Sequence, residues 1–192
     1  NVLDLGQPSD DTVTAAKLNN DIISGQTALT VSPDTTDEII LSDAGTLKRA
    51  DISVLGNAPA FSVIRSSDQS ISDGTWTKIQ FNSEVFDSDS AFDSSTNYRF
   101  TVPSGEGGKY MLFLNAYVQY GGNGSTLRTA IYKNGSVEHL SIFTDGAGIA
   151  HNSIVSMVMN LSASDYIEFY VWQNRGGNDN LQGPHTVAYG YK

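Results

Sequence analysis

Three carboxylates, Asp87, Asp89 and Asp93, fall within one Ser-rich stretch, FDSDSAFDSST (86–96). Oxygen ligands at alternate positions could hold Ca²⁺, which takes about six to eight oxygens. No Glu closes the stretch as a calcium loop, and the order is not that of an EF-hand. The alternative is a solvated acidic loop in which Asp serves as a turn former. A pair of these carboxylates has the spacing of a glycosidase acid and base, but no groove signal accompanies it. His139, His151 and His185 lie in separate segments. No His-x-His or His-Glu-x-x-His spacing links them, which argues against a zinc hydrolase. SGEGGKY (104–110) has the glycines of a phosphate loop, but not its spacing or the Ser or Thr that should follow Lys109. The residues best suited to holding a ligand are Tyr170, Trp172, Arg175, Asn178 and Asn180, joined by His151 and His185 on polar loops. Aromatic rings and planar polar groups suit the faces and hydroxyls of sugars. Subunit packing is the competing role for Trp172. No catalytic set emerges, and no cofactor is implied beyond a candidate Ca²⁺.

These residues must be positioned by strands. From Phe61 onward the chain reads as eight or nine short strands separated by Gly-, Asn- and Asp-rich turns, with no helical periodicity. KNGS (133–136) carries Asn-Gly, the strongest short hairpin signal. The pattern predicts an all-β, antiparallel jelly-roll sandwich. Strict up-and-down alternation places PSGEGGK, KNGS and SASD at one end. It places FDSDSAFDSST, GGNGS, TDGAGIAHN and NRGGNDNLQGPH at the other. With the first and last strands as parallel neighbours, both termini sit at the short-loop end and the long loops form a far tip. Binding residues concentrate on such loops.

Several strands are apolar on both faces. In KYMLFLNAYVQY (109–120), Tyr110, Leu112, Leu114, Ala116, Val118 and Tyr120 point one way, and Met111, Phe113 and Tyr117 the other. SIVSMVMNL sets Ile154 and Val158 opposite Val155, Met157, Met159 and Leu161, and DYIEFYVW sets Tyr166, Tyr170 and Trp172 opposite Ile167, Phe169 and Val171. A two-sheet sandwich buries one face of each sheet. A second apolar face calls for another subunit, since large exposed apolar patches are rare on soluble monomers. Tyr117, Ile154, Val158 and Tyr166 are the expected interface residues.

Composition divides the chain. All 19 aromatics lie from Phe61 onward, and residues 1–60 carry 3 Lys/Arg against 9 Asp/Glu. Aromatics supply much of a core's buried area, so residues 61–192 are expected to form the core-bearing domain and 1–60 an extended stalk or attachment segment. SDDTVTAAKLNNDIISG predicts a short capped helix, and DEIILSDAGTLKRADISVL two strands around an Asp-Ala-Gly turn. The net charge of −10 disfavours nucleic acid or an anionic membrane as partner. The longest run of large apolar residues, MLFL, is far short of a membrane span. Cysteine is absent, which excludes disulfides and thiolate metal sites.

The series Phe81, Asp87, Phe92, Phe100, Gly108, Tyr110, Leu112 and Leu114, with the closing GNDNLQGPHTVAYGYK, resembles the globular head of complement component 1q within the tumour-necrosis-factor-like jelly rolls. Leu112 and Leu114 stand where that family has Phe and an aromatic. The resemblance covers about two-thirds of the chain. It implies a compact homotrimer with its termini together at the base, and a far end near which relatives bind Ca²⁺. SDDTVTAAKLNND and DEIILSDAGTLKRADISVL resemble modules of bacteriophage tail-fibre and virion-appendage proteins. The expectation is therefore a fibre protein on the virion surface. Residues 1–60 would contact other virion proteins, and a trimeric, non-enzymatic tip would bind a host-surface glycan or protein. The alternatives are a structural head-fibre, decoration or collar protein and, more remotely, a polysaccharide depolymerase.

Overall fold

A computed structural model describes residues 27–31, 33–34, 36–52, 58–118, 125–144 and 151–192. Their strands are β1 (Glu38–Asp43), β2 (Thr46–Asp51), β3 (Ala60–Ile64), β4 (Gln69–Ile71), β5 (Thr77–Lys78), β6 (Ser83–Asp87), β7 (Phe92–Asp93), β8 (Arg99–Thr101), β9 (Gly108–Val118), β10 (Thr126–Lys133), β11 (Ser136–Thr144), β12 (His151–Leu161), β13 (Tyr166–Gln173), β14 (Asp179–Leu181) and β15 (Val187–Tyr191). A 3₁₀ turn spans Gly183–His185. No helix among the described residues is long and apolar enough to cross a membrane. The chain divides into two compact units, Asn1–Gly56 and Asn57–Lys192.

In the first unit β1 and β2 form an antiparallel hairpin. Its turn is made by Ala44 and Gly45, both at positive φ (50° and 84°), the geometry that matches the strands' own twist. Arg49 Nε meets Glu38 Oε1 at 2.9 Å, and Lys48 pairs with Asp43. Ile40 and Leu47 remain 79% and 76% exposed. The helix expected in SDDTVTAAKLNNDIISG lies outside the described residues.

The second unit is a two-sheet antiparallel sandwich. One sheet has the order β11-β10-β13-β8-β7 with β5 beside β13; the other has β4-β14-β9-β15-β3-β6 with β12 beside β9. Period-2 alternation fills the space between them. Tyr110, Leu112, Leu114 and Ala116 of β9 meet Ile131, Ile167, Phe169 and Val171 of the facing sheet, all with no exposure. Thr129 and Ser153 are buried, and their hydroxyls bond to each other at 2.9 Å, which removes the cost of two unpaired polar groups. The aromatics read from the sequence as a spaced series, Phe81, Phe92, Phe100 and Tyr110, all belong to this core. The buried Tyr110 hydroxyl donates to Glu106 O at 2.6 Å, and burial pushes its pKa up to about 12.

The three short loops gather at one end, as alternation predicts. Asn134 and Gly135 form the expected two-residue turn at positive φ (51° and 80°). Asn134 Nδ2 donates to Asp165 Oδ1 at 2.7 Å, Tyr166 N donates to Asn134 Oδ1 at 2.9 Å, and Ser164 N donates to Val102 O at 2.9 Å. The unit's termini join this base: Lys192 N donates to Pro59 O, and Lys192 Nζ pairs with Glu106 at 2.8 Å. They do so through antiparallel pairing of β3 with β15, Ala60 opposite Tyr191, where parallel neighbours were expected.

Asp165 anchors the base. It accepts from Ser162 N and Asn134 Nδ2 and pairs with Lys133 at 2.9 Å. Those partners favour the carboxylate, with the Ser162 amide first, and lower its pKa to about 2. A depressed carboxylate contributes stability above its unfolded value and loses it as pH falls through the folded one. Asp165→Asn should therefore melt several degrees below wild type at pH 7. The gap should close between pH 4 and pH 2, as followed by thermal denaturation across pH.

The Asp-rich stretch is a correction. β6 runs antiparallel to β3, which brings Asp87 opposite Phe61. Ser88 N donates to Ala60 O, and Thr101 N to Ala91 O. Residues 88–91 therefore lie at the base, beside the termini, and not at the far tip. The strands β4, β6 and β7, absent from the sequence reading, broke the alternation from which the parity was counted.

Candidate functional site

The outer face of the seven-stranded sheet answers for the two-faced strands. Register sets Val158, Met111, Tyr191 and Ala60 in one row across β12, β9, β15 and β3. Ser156, Phe113, Tyr189 and Ser62 form the next row, and Ile154, Asn115, Val187 and Ile64 the third. None of the twelve is charged. Phe113 and Tyr189 stack with centroids 4.5 Å apart, and Tyr117 tilts against His185 at 5.1 Å. Ile154, Val158 and Tyr191 stay 50%, 62% and 54% exposed. Amid these apolar rows Asn115 donates through Nδ2 to His185 O at 3.1 Å, while its Oδ1 is buried with no hydrogen-bond partner in the protomer. Of the four expected interface residues, Tyr117, Ile154 and Val158 share this face. Tyr166 does not: it lies on the opposite sheet, under the Arg99 guanidinium at 4.2 Å from its ring centroid.

The outer face of the six-stranded sheet carries the second aromatic concentration. Arg128 is in register with Trp172, and its guanidinium lies over the indole at 4.3 Å. Tyr170 packs on Tyr132 at 4.2 Å, and Trp76 meets Tyr132 edge-on at 6.3 Å. Lys78 holds the buried Glu168 at 2.5 Å. Tyr170 and Trp172, grouped with the tip loops in the sequence reading, stand here on β13, half-buried on a sheet face, with Trp172 one residue from the strand end that enters loop 174–178. Burial, with Glu168 as the nearest charge, raises the Tyr170 hydroxyl above its ordinary value.

The loop 174–178 is at the far end and is held firmly. Arg175 pairs with Asp179, and its backbone N–H donates to Gln173 Oε1 at 2.8 Å. Gly176 N donates to Asp73 Oδ1 at 2.9 Å, and Gln173 Nε2 to Gly177 O at 2.9 Å. The Arg175 guanidinium thus fastens its own loop, whereas Asn178 and Asn180 are exposed. His185 sits apart from them, in the 3₁₀ turn beside Tyr117. His151 opens β12 opposite Val118. The loops containing GGNGS and TDGAGIAHN lie largely outside the described residues.

The candidate calcium ligands are engaged in turns. Asp93 accepts from the backbone N–H of Ser95, Thr96 and Asn97 at 2.8–3.0 Å, and these bonds hold its carboxyl well below the usual carboxylate range. Asp87 accepts from Phe92 N at 2.7 Å and from Asp89 N at 3.3 Å. Ser88 Oγ donates to Asp89 at 2.6 Å. No three acidic or His side chains converge as metal ligands among the described residues.

Sequence reasoning missed Arg128, Tyr132 and Trp76. The signal was available only through register, because Arg128 and Trp172 are 44 positions apart and meet by strand pairing.

No protein-family model and no curated protein matches this sequence. Solved structures do match. A crystal structure of murine APRIL superposes with a TM-score of 0.55 at 13% identity, over 71% of this chain and 99% of that one. The globular domain of zebrafish complement 1qA gives 0.51 at 20% identity, over 70% and 96%. Eiger TNF from S. frugiperda gives 0.50 at 11% identity, over 70% and 90%. The likeness is one of fold: an all-β, antiparallel jelly roll of the tumour-necrosis-factor and complement-1q type.

Proposed function

We propose that this chain is a non-enzymatic, homotrimeric binding module of a bacteriophage fibre. Residues 1–60 would attach it to the virion, and its far end would meet a host-surface glycan or protein. The observation that carries the reading is the uncharged outer face of the seven-stranded sheet, with the unpartnered Asn115 Oδ1 inside it. A second apolar surface lies along the β11 edge, where Val137, Ile142 and Phe143 are 50%, 56% and 39% exposed. Packing one surface of a copy against a different surface of the next is a heterologous contact, which closes into a ring when the rotation allows. With both termini of the jelly roll at the base, a stalk attached there turns the opposite end outward.

Fluorescently labelled protein should therefore stain host cells. Asn178→Ala with Asn180→Ala should weaken staining and leave the melting temperature near wild type, since exposed changes usually cost under about 0.5 kcal/mol. Lys109→Ala at the base should stain as wild type does. Equal effects at both ends would remove the tip-recognition reading. So would the absence of staining on every host strain, and a structural appendage would take its place.

A further inference from the structure

We propose that the outer face of the six-stranded sheet binds an acidic oligosaccharide, with sugar carboxylates on Arg128 and Arg99 and sugar rings on the aromatic ladder between them. The inference deepens the host-surface reading and rests on it.

Charge decides the ligand class. The chain is strongly acidic, at −10, and most described cations are engaged by carboxylates: Lys48, Arg49, Lys78, Lys133, Arg175 and Lys192 each form an ion pair. Arg99 and Arg128 lie instead on aromatic rings, Tyr166 and Trp172, at 4.2 and 4.3 Å. Stacking fixes the plane of a guanidinium and leaves its edge donors free for a planar anion. Arg128 Nε is buried, so a ligand meets the partly exposed guanidinium through its terminal nitrogens. A carboxylate is the group that such a fork takes up bidentately.

Placement decides its size. The Arg128 guanidinium lies over Trp172 and the Arg99 guanidinium over Tyr166, six residues back along β13. The two cations are thus separated by about 20 Å along the strand. That span calls for an oligomer, not a single sugar. Tyr170, Tyr132 and Trp76 occupy the interval, and their rings suit the C–H faces of pyranoses. Lys78 is held by Glu168, so neutral hydroxyls between the carboxylates meet polar groups already paired.

The test is calorimetric titration of the full chain with three hexasaccharide probes, made of galacturonate, mannuronate and sialic acid. The methyl ester of each keeps the shape and loses the charge. At least one acid form should bind, at least tenfold more tightly than its ester, and binding should weaken as salt rises. Arg128→Gln and Trp172→Ala should each cost at least tenfold, while Lys109→Ala at the base should cost nothing. Arg99→Gln gives a second reading if either variant proves unstable. Failure of all three acids to bind would overturn the proposal, as would equal binding of acid and ester or full affinity in both arginine variants. Host staining that survives Arg128→Gln, together with no oligosaccharide binding, would sink this site and leave the host-surface reading standing. Tight acid binding without any cell staining would do the reverse.

Discussion

Ile154→Lys combined with Val158→Lys is expected to convert the protein from an assembly of about three chains into a folded monomer of 20.6 kDa. Both side chains point away from the core and are more than half or half exposed in the single chain, at 62% for Val158 and 50% for Ile154. Lysine there costs the protomer little. In an assembly that covers the face, each copy would bury two ammonium groups among Met111, Phe113 and Tyr117 with no acidic residue in the neighbouring rows. An uncompensated buried charge costs about 3–5 kcal/mol, so two per interface exceed what most interfaces can lose. Light scattering should report the change of mass, and far-ultraviolet circular dichroism should show the strands retained. If wild type is itself a well-behaved monomer at micromolar concentration, or if the double variant keeps its mass, the face is not an interface.

Legibility followed sequence distance. Alternation within one strand is local, and it showed both the core and the second apolar face: the residues read as inward in β9 and β12 are buried, save the half-buried Met157, and Met111, Phe113, Ile154 and Val158 do point outward. The Asn-Gly turn was equally local. What alternation leaves open is which strand lies beside which. Tyr166 shares the aromatic-and-outward character of Tyr117, but β13 belongs to the other sheet, and no property of its own segment says so. Loop parity failed because β4 and β7, of three and two residues, are too short to display a period. The Asp-rich stretch was ambiguous for a different reason. A carboxylate that accepts three backbone N–H groups, as Asp93 does, and one that faces a cation have the same sequence. Only the destination of the backbone amides separates them.

Phe61→Ala is expected to be the most damaging single truncation in the jelly roll, at about 3–5 kcal/mol. Phe61 has no exposure and is the ring that joins the two sheets' aromatics: its centroid is 4.7 Å from Phe100, 5.3 Å from Phe92 and 6.3 Å from Phe169. The surroundings are shaped to it. A Cβ at Gly190 would come within 2.8 Å of Phe61 Cε1, so the strand opposite gives up a side chain to admit the ring. Removal leaves a cavity that stiff, hydrogen-bonded strands on either side cannot close, and cavity volume adds to the lost transfer energy. Thermal denaturation should show a fall of about 10 °C or more, whereas Phe86→Ala, at 52% exposure on the adjacent strand, should change the protomer little. The comparison is best made in the Ile154→Lys, Val158→Lys background, where assembly does not enter. A loss under about 1 kcal/mol for Phe61→Ala would mean that this ring is not at the centre of the core. An equal loss for Phe86→Ala would mean that the sheet's outer face is covered within a single chain, and the case for a second copy would go with it.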